Sequence, residues 1–193
     1  MKILVTGLGR SGTSLMMRML LHGGVQVYCD GDFVTFETAK SIQLPKNTAW
    51  LKDVTGAVKI IDPYRHTPPP GDYKIIWLTR DFGEQAKSFA KLQRKQGKPA
   101  TRRHAQWYKK EFRKVTQRNI RMMAKWGNPL LRVKFEELLT DPHGEANRIA
   151  NFLAPEFEVD PAKMAAVVVK RSPKNYDGFL ESKISTQKSI FSD

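Results

Sequence analysis

Cysteine is almost missing: Cys29 is the only one in 193 residues. That excludes an intrachain disulfide framework and any multi-cysteine zinc centre, and it suits a reducing compartment. Long apolar runs are missing too, and nothing approaches the roughly 20 residues that cross a bilayer as a helix. The chain enters its first strand pattern at residue 3, leaving no room for a signal peptide, so a soluble cytoplasmic protein is expected. Acidic residues are scarce, 19 Asp and Glu against 33 Lys and Arg, for a net charge of +14. Such a surplus implies anionic company: a nucleotide, an acidic acceptor, nucleic acid or a membrane surface. Composition alone does not choose among them.

Apolar residues make up 40% of the chain, including four Trp and ten Phe, which is a globular rather than a disordered composition. The length is one domain's worth. No linker or internal repeat divides it, so a single domain over 1–193 is expected, with a core over about 3–170 and an irregular tail from about 171. Strand patterns fall at Ile3–Thr6, Val25–Tyr28, Ala57–Ile61, Tyr73–Thr79 and Leu130–Phe135. Between and after them, helices are expected after Gly12, at Phe36–Ile42, Gly83–Lys95, Arg102–Lys125, His143–Leu153 and Pro161–Lys170. Strands alternating with helices, several of them nearly continuous in apolar character, make an α/β domain with a mainly parallel sheet.

The most informative stretch is Gly7-Leu8-Gly9-Arg10-Ser11-Gly12-Thr13-Ser14, between the first strand and the first helix. Glycines let backbone approach an anion, and the helix N-terminus behind them offers unpaired N–H groups and a positive dipole end. Strand, glycine loop and helix form a phosphate cradle, and with it the three-layer α/β/α arrangement of P-loop proteins. A Walker-type loop places lysine after its second glycine. Here that position is Thr13, and the cation is Arg10, three residues earlier. The cradle survives; the nucleoside-triphosphate lysine does not.

A second constellation follows the Tyr73–Thr79 strand. Arg80 stands at the carboxyl rim, where open α/β sheets bind ligands, and Ser88 lies a little over one turn inside the next helix. A planar guanidinium and a hydroxyl converging on one anion make a phosphate or sulfate clamp. The plainer alternative pairs Arg80 with Asp81.

Together these stretches resemble the PAPS-dependent sulfotransferases. Arg10-Ser11-Gly12-Thr13-Ser14 is similar to their 5′-phosphosulfate loop, and Arg80 with Ser88 to their 3′-phosphate element. Val133-Lys134-Phe135-Glu136-Glu137-Leu138-Leu139-Thr140-Asp141-Pro142 is similar to a third family segment, and order and spacing agree over about residues 3–153. The Arg-Ser-Gly-Thr form resembles the bacterial and tyrosylprotein members. The resemblance implies an enzyme that moves a sulfuryl group from PAPS to a hydroxyl or amine, releasing PAP, without a metal. Gly9, Arg10, Ser11, Gly12, Thr13 and Ser14 would hold the 5′-phosphosulfate, Arg10 would neutralise charge on the leaving group, and Arg80 and Ser88 would hold the 3′-phosphate.

A hydroxyl acceptor needs a base within reach of its proton. Glu37 is the first candidate, in a Phe36-Glu37 pair that resembles one in bacterial members. His66 is its rival and Asp32 a weaker third. Lys59 reads equally as a second cation or an edge lysine. The acceptor is not named by the sequence; an acidic, carbohydrate or small-molecule hydroxyl compound is expected.

Residues 91–125 carry thirteen Lys or Arg and one acid, Glu111. They read as a solvated helix face or as a groove for an anion, with Trp107 and Trp126 expected in the core. The family's closing C-terminal segment has no match, and Arg171 and Lys174 are only loose candidates near the 3′-phosphate. Two other readings stand behind the first. One is a P-loop kinase with Val58–Asp62 as a Walker-B-like strand. The other is a non-enzymatic binder of nucleic acid or other anions.

Overall fold

The computed structural model describes residues 1–30 and 35–169. Five strands form one parallel sheet: β1 (Lys2–Gly7), β2 (Val27–Tyr28), β3 (Ala57–Ile61), β4 (Tyr73–Thr79) and β5 (Leu130–Lys134), in the order β2-β3-β1-β4-β5. Helices α1 (Thr13–His22), α2 (Phe82–Lys95), α3 (Arg102–Ala124), α4 (Phe135–Thr140), α5 (Pro142–Leu153) and α6 (Pro161–Ala166) cover its faces. The α/β expectation holds, with every pairing parallel.

Strand alternation sorts the core into two layers. Ile3, Val5, Ala57, Ile76, Leu78 and Val133 face α1, α5 and α6. Leu4, Val58, Ile60, Ile75 and Trp77 face the other way, toward Met123 of α3 and toward Trp50 and Leu51. Both faces are buried, which is why β4 reads as an unbroken apolar run.

Register places the site. Gly7 pairs with Leu78, and Thr79, one step on, pairs with Lys134. The loop after β1, Arg80 after β4 and Phe135 after β5 therefore emerge together at the carboxyl rim.

Several boundaries differ from expectation. The Phe36–Ile42 helix is a 3-10 turn at Ala39–Gln43, because Phe36 takes a left-handed φ of 55° and cannot start a helix. A second 3-10 turn, Ala49–Asp53, was not foreseen; it buries Trp50 and Leu51. Phe135 opens α4 instead of ending β5, and α6 stops at Ala166. Asp32, Arg171, Lys174 and the tail lie outside the described residues.

One polar investment stabilises the back of the sheet. Lys74 on β4 is buried, and its Nζ donates to the carbonyls of Phe152 (2.8 Å), Leu153 (3.1 Å) and Ala154 (2.8 Å) at the end of α5. It also pairs with Glu156, whose hydrogen bond from Lys74 holds its carboxyl below the usual carboxylate range. A single cation thus caps a helix C-terminus whose carbonyls would otherwise be orphaned. Lys74→Ala should cost about 3 kcal/mol in urea unfolding, because three acceptors lose a charged donor at once. A loss under about 0.5 kcal/mol would refute that role. The depressed Glu156 carboxyl contributes stability above its unfolded pKa. That contribution is lost as pH falls through the folded value, so the wild type should lose more stability on acidification than Lys74→Ala does.

Candidate active site

The loop begins where β1 stops. Gly7 has φ 156°, and a Cβ there would lie 2.7 Å from the Leu78 carbonyl oxygen. Arg10 takes a left-handed φ of 70° and Gly12 a φ of 103°. A Cβ on Gly12 would sit 2.4 Å from the Phe135 ring, so the loop needs glycine there for space as well as conformation.

Gly12 is also the N-cap of α1. It supplies no side-chain cap, and no acid stands in the first turn. The N–H groups of that first turn and the positive dipole end are thus left for an external anion. Ser11 is buried with no hydrogen-bond partner for its Oγ among the described residues. A buried hydroxyl beside a bare helix terminus fits an anionic group such as the 5′-phosphosulfate of PAPS.

The two expected elements meet. Arg10 Nε donates to Ser88 Oγ at 3.0 Å, and Arg80 Nη1 reaches the Arg10 carbonyl at 3.5 Å. The Arg80 guanidinium lies over the Phe135 ring, 4.7 Å from its centroid. Asp81 does not act as the partner of Arg80. It caps α2, accepting from the Glu84 and Gly83 N–H groups at 2.9 Å each, and those bonds, that from Glu84 foremost, hold its carboxyl below the usual range.

The third segment proves to be a buttress. Phe135 fills the space beside Gly12 and under Arg80, and Glu136 Oε1 accepts the Asp81 N–H at 3.0 Å. Gln85 was missed by sequence reasoning. It is buried on α2, and its Nε2 donates to the Gly9 carbonyl at 2.9 Å. An amide on the buried face of a predicted helix was the available signal.

Lys59 is no edge lysine. It lies on the α1 face of β3, 3% exposed, and its Nζ donates to Thr35 O (2.6 Å), Ser14 Oγ (3.1 Å) and Glu37 Oε1 (3.3 Å). Ser14 Oγ in turn donates to Thr35 O at 3.0 Å. Glu37 is 67% exposed, so a carboxylate anchored beside the loop remains open to solvent.

His66 stands apart. Its backbone N–H donates to Asp62 O, and its Nδ1 is buried without a partner among the described residues. No described hydrogen bond joins its side chain to Arg10, Lys59 or Glu37. Asp62 does not behave as a Walker-B acid. It accepts from Asn119 Nδ2 at 2.9 Å and pairs with Arg65 at 3.4 Å. Trp107 is 57% exposed instead of buried, its ring meeting Tyr108 edge-on at 5.2 Å, while Trp126 does pack against the core.

The "Sulfotransferase family" model matches residues 43–159. The chain belongs to the sulfotransferase family. That match begins beyond the loop, so the loop's part in the site rests on the contacts described above. Among solved structures, mouse sulfotransferase SULT7A1 complexed with PAP is similar, with a TM-score of 0.57 and 19% identity over 90% of this chain and 64% of that one. This chain thus spans just under two thirds of the mouse protein. The sulfotransferase domain from the curacin biosynthetic pathway has a TM-score of 0.53 and 15% identity, over 97% of this chain and 96% of that one. Retinol dehydratase in complex with androsterone and inactive cofactor PAP has a TM-score of 0.52 and 17% identity, over 100% and 71% of the two chains. At such identities the likeness is one of fold. No curated protein matches the sulfotransferase chain by sequence.

The packing makes a direct prediction. Gly12→Ala should cost about 2–4 kcal/mol in urea unfolding, combining left-handed strain with a clash against Phe135. The double variant with Phe135→Leu should recover part of that loss. No recovery would show that the Phe135 contact is not the cause.

Proposed function

We propose that this protein is a PAPS-dependent sulfotransferase acting on a hydroxyl or amine acceptor. The observation that carries the reading is the contact of Arg10 with Ser88, which brings the two anion elements together around Phe135. Gly9 to Ser14 would cradle the 5′-phosphosulfate, and Arg80 with Ser88 would hold the 3′-phosphate that distinguishes PAPS from ATP. PAPS, when bound, supplies an activated sulfuryl group. The chain's own part is positioning and charge stabilisation.

In this reading Arg10 neutralises charge on the departing phosphate. Lys59, fixed between Ser14 and Glu37, is the second cation at the loop. Glu37 takes the acceptor's proton: it shares Lys59 with the loop and faces solvent, whereas no described bond ties His66 to the loop. A bacterial or tyrosylprotein-like subtype, a single domain and a cytoplasmic location belong to the same proposal, supported by the Arg-Ser-Gly-Thr loop, the undivided sequence pattern and the composition.

PAP should raise the melting temperature without Mg²⁺ and ATP should not, since a ligand at 100 times its Kd adds about 2.7 kcal/mol of apparent stability. Stabilisation by Mg-ATP alone would overturn the reading. In transfer assays followed as PAP release, Arg10→Ala should lower kcat by about 10²–10³-fold while PAP affinity changes far less. Glu37→Gln should lower kcat by at least about 10²-fold and His66→Gln by little. The reverse ranking would move the base to His66.

A further inference from the structure

We infer that the outer face of α3 is a docking groove for an acidic polysaccharide acceptor, an inference that rests on the sulfotransferase reading and adds a substrate class to it. Tyr64, Lys114, Arg118, Arg121 and Lys125 line a groove of about 510 Å³. The four cations recur at helical spacing on one side of α3, the last of them at its C-cap, and run roughly 16 Å along it, at about 1.5 Å per residue. Glu111, the one acid in this region, pairs with Lys114 at 3.1 Å. Among the described residues Arg118, Arg121 and Lys125 have no acidic partner. A row of cations without counter-charges is complementary to a chain of regularly spaced anions.

The groove is joined to the transfer site through the turn after β3. Asp62 N–H donates to the Gly7 carbonyl at 3.0 Å, where the loop begins. Asn119, fully buried on α3, donates to Asp62 Oδ1 at 2.9 Å and accepts the Tyr64 N–H at 2.8 Å. A chain lying along α3 and passing over Tyr64 therefore arrives at the rim that carries the loop.

Three chemical features favour a glycan. The groove's one aromatic ring, Tyr64, is covered by the Arg118 guanidinium at 4.7 Å, so that face is closed to a nucleobase. Apart from Tyr64 the lining residues are side chains of α3 and its C-cap, with no free strand edge among them to pair with an extended peptide. Gln117 adds an amide suited to hydroxyls, and Met122 an apolar floor for a ring face. An acidic polysaccharide also offers, on every sugar, the hydroxyls that sulfuryl transfer consumes.

The test compares two charge-reversal triples of the full chain with equal change in net charge. One is Arg118→Glu, Arg121→Glu, Lys125→Glu; the other, on another side of α3 or just before its start, is Lys98→Glu, Arg102→Glu, Arg113→Glu. A heparin-derived decasaccharide, oligouridylate and polyglutamate are titrated against each, with PAP as a separate ligand and circular dichroism as the check on folding. The groove triple should weaken decasaccharide binding about 100-fold and the control triple less than about 5-fold, with PAP affinity unchanged in both. Equal losses in the two triples would overturn the groove. A larger loss for oligouridylate or polyglutamate than for the decasaccharide would overturn the glycan. If the wild type binds no PAP while the decasaccharide contrast persists, the acceptor role falls with the sulfotransferase reading and the docking surface alone remains.

Discussion

The site depends on how closely the β1–α1 loop lies against the end of β5. Gly12 leaves no room for even a methyl group beside Phe135, and the same ring carries the Arg80 guanidinium on its face. One aromatic side chain thus sets the spacing between the loop and the Arg80–Ser88 element. The sheet register makes this possible, because Gly7, Thr79 and Lys134 end three neighbouring strands within one step of each other. Glu136 then ties the Asp81 amide, and Asp81 caps α2, which holds Ser88. The anion binding proposed for this loop needs donors fixed before the ligand arrives, and packing is what fixes them.

Electrostatics completes what packing begins. Lys59 occupies a strand position that alternation assigns to the core, and burial of a lone ammonium there would be prohibitive. The Thr35 carbonyl, the Ser14 hydroxyl and the Glu37 carboxylate supply its acceptors, so the desolvation cost is offset by three directed bonds. Lys74 answers the same problem on β4 by capping α5. The two buried lysines differ in what surrounds them. Lys74 meets helix-end carbonyls at the back of the sheet; Lys59 meets a loop hydroxyl and an exposed carboxylate beside the glycine loop.

Much of this was legible beforehand, for identifiable reasons. The strands were clear because parallel strands buried on both faces are continuous apolar runs, as Ile75 to Leu78 show. The loop was clear because its glycines are demanded by backbone geometry, which sequence spacing records. Contacts between distant residues left weaker traces. Nothing local in Gln85 tells that its amide holds the Gly9 carbonyl, and Lys59 could be placed on an edge or in the core until β2 was seen to cover β3. Phe36 misled because a residue favourable to a strand or helix start sits at a left-handed φ, held by burial rather than by propensity. Trp107 misled for the opposite reason: its size suggested the core, yet Tyr108 and Phe112, with Phe89 of α2, already fill the α2–α3 interface.

The excess of positive charge divides into two populations with different physical duties. Arg10, Lys59 and Arg80 are partly or fully buried, held by directed bonds or an aromatic face, and too few to account for the net charge of +14. Another thirteen of the 33 Lys and Arg stand on α3 and the segment around it, where the sequence places one acid, Glu111. A surface that served solubility alone would not need a buried polar anchor behind it. Asn119 is such an anchor, fully buried, its amide bonded to Asp62, Tyr64 and the Val115 carbonyl. A buried amide is tolerated when every bond is met, and what these bonds secure is the position of a basic helix relative to the turn that holds the loop. The charge on α3 is therefore best understood together with the loop it is fastened to.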